Sequence, residues 1–130
     1  MSHLLLDTSP IVAHMRRKID LHNAVPEEAL LFTSLFTVGE LEKGISRADY
    51  PEKERTKVDL IMPHLAVLMP GETTARVYGE LSADLDNRGQ RIPENDMWIA
   101  AMAKEHSLTL VTGDAHFACV PDLQILHLSW

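Results

Sequence analysis

The sequence predicts an α/β fold: a three-layer α/β/α sandwich around a mostly parallel sheet of about five strands. Three observations point there. Short apolar runs alternate with helical stretches along the chain. Strands of that kind suit a parallel sheet covered on both faces, and right-handed crossovers then lay helices on either side. The length of 130 residues, with 45% hydrophobic and 24% charged residues, fits one domain spanning 1–130. A chain this long buries about two-thirds of its unfolded surface without disulfide or structural metal.

Leu4-Leu5-Leu6 is the first strand, ending at Asp7. Thr8-Ser9-Pro10 reads as a helix start, a hydroxyl cap followed by proline. Ile11, Val12, Met15 and Ile19 continue at helical spacing, with Arg16, Arg17 and Lys18 in the helix's last half. After Pro26-Glu27-Glu28, Leu30 to Ser34 is the second strand and Thr37 to Ile45 the second helix. Glu52 to Ile61 is a charged helix stopped by Pro63, and Leu65 to Met69 the third strand. Thr73 to Asp86 is amphipathic, with Val77, Leu81 and Leu85 on one face. Asn87 to Gln90 turns the chain into an Ala- and Met-rich helix, Glu94 to Glu105. Leu108 to Thr112 and Leu123 to Leu128 are the last two strands.

Composition excludes several classes. No apolar run approaches the roughly 18 residues of a membrane span, and the start, Met-Ser-His into a strand, lacks the basic and apolar regions of an export signal. The lone Cys119 forms no internal disulfide and no Cys/His zinc spacing, so a reducing cytoplasm is the expected compartment. Net charge is −7 and the pI about 5.4, which argues against a clamp holding nucleic acid by bulk electrostatics. An enzyme whose acids surround a divalent cation remains open.

In doubly wound sheets, ligands bind beyond the carboxyl ends of the strands where the strand order reverses. Asp7 follows the first strand, Glu40 lies in the first turns after the second, and Asp114 stands two residues past Thr112. Asp96 joins them if its helix begins at the same edge, which is not the ordinary expectation for a helix entering the fourth strand. Each acid also has a structural explanation. Asp7 could turn the chain, and Thr37-Val38-Gly39-Glu40 could form a capping box. Asp96 could complement a helix dipole, and Asp114 could form an Asx turn.

Four segments together resemble the PIN domain: Leu4 to Pro10, Ser34 to Leu41, Glu94 to Ala101, and Leu110 to Phe117. Their order and spacing, and the chain length, are similar to the VapC-like toxins, single-domain ribonucleases of toxin–antitoxin pairs. The resemblance implies that Asp7, Glu40, Asp96 and Asp114 share one pocket and hold Mg²⁺, or Mn²⁺, for RNA hydrolysis. Asp7 and Asp96 would be the main ligands, Glu40 and Asp114 completing the pocket through water or a second ion. It also implies a cognate antitoxin whose C-terminal segment crosses the pocket, and a homodimer.

Clustered carboxylates repel one another, and a hard oxygen-seeking cation relieves that cost. Thr8 and Thr112 offer hydroxyls to position the acids. With no histidine or cysteine at ligand spacing, zinc is not expected; His116 reads as a turn residue and the other histidines as unclustered. Glu94 reads as a solvated helix start, and Met97, Trp98 and Met102 as core or interface. Arg88 and Arg91 are the candidate RNA contacts and could equally meet a protein partner, whereas Arg16, Arg17 and Lys18 read as solubilising charge. The competing class is a non-catalytic PIN-like binding module. A receiver domain would need a lysine after the last strand. A haloacid-dehalogenase-type phosphatase would need an aspartate at Ser9.

Overall fold

Leu4 and Leu6 bury themselves on one side of the sheet and Leu5 on the other, so the first strand alone shows that both faces are covered. The computed structural model describes residues 2–130. In chain order the elements are β1 (His3–Leu6), α1 (Thr8–Met15), α2 (Leu21–Ala24), β2 (Leu30–Ser34), α3 (Leu35–Arg47) and α4 (Pro51–Ile61). Then follow β3 (Ala66–Leu68), α5 (Glu72–Asn87), α6 (Glu94–Glu105), β4 (Thr109–Thr112) and β5 (Ile125–His127). All four strand pairings are parallel, in the order β3-β2-β1-β4-β5. The chain builds outward from β1 to β3, then returns to add β4 on the other flank of β1. The carboxyl ends of β1 and β4 therefore form the switch point.

On one face, Leu5 and Leu110 pack with Leu81 and Leu85 of α5 and Ile99 and Met102 of α6. On the other, Leu4, Leu6 and Val111 meet Ile11 of α1, Leu41 and Ile45 of α3, and Val58 and Ile61 of α4. Each such side chain contributes about 1.5–3 kcal/mol of burial. Helices α5 and α6 run antiparallel: the Thr74 hydroxyl near the start of α5 donates to Glu105 at the end of α6, at 2.6 Å. Farther along, Tyr78 stacks on Trp98 with centroids 3.9 Å apart, and Phe36 stacks on Trp98 at 5.5 Å.

Three readings from the sequence change. The first helix ends at Met15, because Arg17 takes a left-handed conformation at φ 58°; Arg16 to Lys18 thus lie in the turn beyond it. A short helix, α2, follows, capped by the Asp20 side chain. The start of α6 lies at the carboxyl edge, since a helix that packs back along the sheet into β4 runs opposite to that strand. The expectation against Asp96 fails for this reason.

Candidate active site

Asp7 is the buried centre of the site, with 2% of its surface exposed. Its Oδ1 accepts the Thr8 N–H at 2.7 Å, capping α1. Its Oδ2 accepts the Thr112 hydroxyl at 2.8 Å and the Ser9 hydroxyl at 3.3 Å. The same Thr112 oxygen accepts the Asp114 N–H at 3.0 Å, and the Ser9 oxygen accepts the Gly113 N–H at 3.0 Å. Thr112 therefore fixes two acids across the β1–β4 seam. Burial raises the Asp7 carboxyl from 3.8 to about 6; the Thr112 and Thr8 bonds restrain that rise, and the charges of Asp96 and Asp114 add to it.

Thr37 does not cap its helix. α3 begins at Leu35 and is capped by Ser34, whose Oγ accepts the Thr37 N–H at 3.1 Å. Glu40 is then a second-turn residue, free of the capping box, and its Oε1 is buried without a hydrogen-bond partner among the described residues. Burial raises its carboxyl, with Thr8 and Asn95 nearby offsetting part of the rise and Asp96 adding to it. The Thr8 hydroxyl itself donates to Thr37 Oγ1 at 3.3 Å.

Asp96, half-buried in the first turn of α6, is also raised by burial, against the lowering effect of His116. His116 Nε2 lies 2.7 Å from Asp96 Oδ2. One ligand atom each from Asp96, Asp114 and His116 fall within 4.8 Å of one another. A 3₁₀ turn, Ala115–Cys119, after Asp114 swings His116 back over the site. The expectation that no histidine stands at ligand distance is thereby corrected, and with it the ground for setting zinc aside. The signal was present in the sequence: a histidine two residues after a candidate ligand. Glu94 is exposed and accepts a hydrogen bond from the Tyr78 hydroxyl. Met97 and Met102 are core.

A cavity of about 350 Å³ gathers Asp7, Glu40, Asp96 and Asp114, with Thr8, Ser9, Arg16, Lys18 and Trp130 around it. Arg88 and Arg91 are not in its wall. They pair with Asp84 and Asp86, each at 3.2 Å, on exposed surface. The positive charge at the site comes instead from the Arg16–Lys18 turn. A larger cavity of about 670 Å³ lies between α1, α2 and α4. There His22 sits edge-on to His14 and His64 at 6.0 and 5.7 Å, a cluster the sequence reading missed. Its one acid, Asp20, is engaged in capping, so the clustered carboxylates belong to the smaller cavity.

A divalent cation fits these residues. Three carboxyls are raised by burial, Glu40 Oε1 lacks a partner, and the donors are four carboxylates with one imidazole. Hard oxygen donors suit Mg²⁺ and Mn²⁺, and a single nitrogen is compatible with Mn²⁺.

Comparisons with known proteins bear on the family and the fold. Residues 4–123 match the PIN domain. Ribonuclease VapC4 of Mycobacterium tuberculosis is 30% identical over 95 residues, covering 72% of this chain and 73% of its own. VapBC2 of Rickettsia felis, solved with a promoter DNA fragment, superposes with a TM-score of 0.91 at 24% identity, covering 98% of this chain and 99% of the other. VapBC-5 of Mycobacterium tuberculosis, a member of the VapBC family of toxin–antitoxin systems, gives 0.82 at 25% identity, covering 98% and 100%.

Proposed function

We propose that this chain, which belongs to the PIN-domain family, is an endoribonuclease of the VapC kind, the toxin of a toxin–antitoxin pair. The observation that carries this reading is the convergence of Asp7, Glu40, Asp96 and Asp114 on one cavity at the switch point. The ribonuclease name of its relative supports the substrate class, and residues 1–130 act as one nuclease domain.

Asp7 and Asp96 would hold a Mg²⁺ ion, or Mn²⁺ in its place, and Glu40 and Asp114 would complete the pocket through water or a second ion. When bound, the cation supplies positive charge that polarises the scissile phosphate and makes an attacking water more acidic. Thr112 keeps Asp7 and Asp114 in register through its two hydrogen bonds. His116 fixes the orientation of Asp96. Arg16 and Lys18 draw the phosphate backbone toward an otherwise acidic protein.

The partner is a cognate antitoxin, as the VapBC relative suggests, and the chain pairs with itself as a homodimer in the cytoplasm. No helix among the described residues is long and apolar enough to cross a membrane. Light scattering after size exclusion tests the dimer; a monomer at every concentration contradicts it. The activity is tested by incubating partner-free protein with total RNA and Mg²⁺. Cleavage is expected from the parent and lost with EDTA or Asp96→Asn, whereas full activity in that variant sinks the assignment. No cleavage together with no metal binding would favour a non-catalytic PIN-like module.

A further inference from the structure

We propose that Trp130 is a stacking platform for an RNA base next to the scissile phosphate. The proposal deepens the ribonuclease reading and rests on it. Trp130 lines the cavity that holds the four acids and is the one aromatic side chain in its wall. Its exposure, 47%, would mean little alone, since single exposed apolar residues are common. Its seat is more informative. The benzo edge of the indole lies over Gly113, between Thr112 and Asp114, so closely that a Cβ there would stand 2.3 Å from the ring. Gly113 has no positive φ requiring glycine. What the missing side chain does is admit the ring to the rim of the acid site.

The other tryptophan has no such freedom, being stacked with Tyr78 and Phe36. A flat ring held against the backbone, half open to solvent and lining the same cavity as Arg16 and Lys18, presents the two elements that grip single-stranded RNA: an aromatic face for a base and cations for its phosphates. Stacking of this kind tolerates any base, so Trp130 would set the position of the strand rather than its sequence.

The test uses Asp96→Asn protein, expected to bind RNA without cutting it, carrying Trp98→Phe so that Trp130 is the sole indole. Titration with a short single-stranded oligoadenylate is expected to quench Trp130 fluorescence. In the Asp96→Asn protein with Trp98 intact, Trp130→Ala is expected to weaken binding, followed by anisotropy of a labelled oligonucleotide, roughly 5- to 150-fold, with Trp130→Phe keeping most of it. Gly113→Ala is a second route: it leaves the indole chemistry intact but displaces the ring, so it should reproduce the loss while unfolding cooperatively. Binding unchanged within about twofold in Trp130→Ala overturns the proposal. So does unchanged RNA binding with lost antitoxin capture, which would assign the ring to the protein partner. An absence of both RNA binding and RNA cleavage in the protein with Asp96 intact removes the ribonuclease reading and this proposal together. Normal RNA cleavage by the parent with an indifferent Trp130→Ala removes this one alone.

Discussion

Asp7→Asn should make the metal-free protein more stable while abolishing its activity. A carboxyl raised from 3.8 to about 6 costs about 3 kcal/mol to ionise inside the fold. The unfolded chain releases that proton near 3.8 and the folded chain keeps it to about 6. Between those values the folded state binds more protons, so its stability falls as pH rises and the full cost is present above pH 6. Asparagine resembles the protonated acid in shape and carries no such cost. Its oxygen can accept the Thr8 N–H, and its amide can face the Thr112 and Ser9 hydroxyls, which rotate to accept. Allowing for weaker hydrogen bonds than a carboxylate makes, the variant should gain about 1–3 kcal/mol at pH 7.5 in EDTA, on the order of 3–10 °C in Tm. Near pH 3.5 the two proteins should unfold alike. Adding Mg²⁺ should raise the Tm of the parent more than that of the variant. Urea unfolding across pH 3.5–8 gives the comparison. A variant less stable than the parent at pH 7.5, or a difference that does not change with pH, would refute the reasoning.

Three further outcomes are expected. Thr112→Val removes the hydroxyl that restrains Asp7; the acid limb of the pH–rate profile should move to higher pH and Mn²⁺ affinity by calorimetry should fall roughly 10- to 100-fold, with Thr112→Ser largely restoring both. Arg16→Ala with Lys18→Ala should weaken RNA binding and flatten its dependence on salt by roughly one slope unit per lost phosphate contact, read by filter binding over a salt series. Leu85→Ala empties a fully buried position between α5 and the sheet and should cost about 2–5 kcal/mol in urea unfolding without changing metal affinity in the folded protein.

The sheet was legible because its strands are apolar runs bounded by turn residues, and β2 and α6 match their sequence-read limits residue for residue. Boundaries set by single backbone events were not legible. The left-handed turn at Arg17 looks like ordinary helical sequence, yet it ends α1 and delivers Arg16 and Lys18 to the cavity. The cap of α3 moved from Thr37 to Ser34 because both are hydroxyl residues before a helix, and only the fold decides which faces the free N–H. Asp7, Glu40 and Asp114 could be grouped from strand order alone, but Asp96 needed the direction of α6. His116 stood two residues after a candidate ligand, but only the 3₁₀ turn that reverses the chain shows that it faces Asp96; Trp130 reaches the site through tertiary packing, which local patterning does not carry.

The most direct test is to follow RNA cleavage rate and Mn²⁺ occupancy together, the latter by electron paramagnetic resonance, as Mn²⁺ is titrated into partner-free protein. The four-carboxylate account predicts that the two rise with the same half-saturation and that both are lost in Asp7→Asn and Asp96→Asn. Cleavage that persists in EDTA, or Mn²⁺ binding undiminished in both variants, would contradict it.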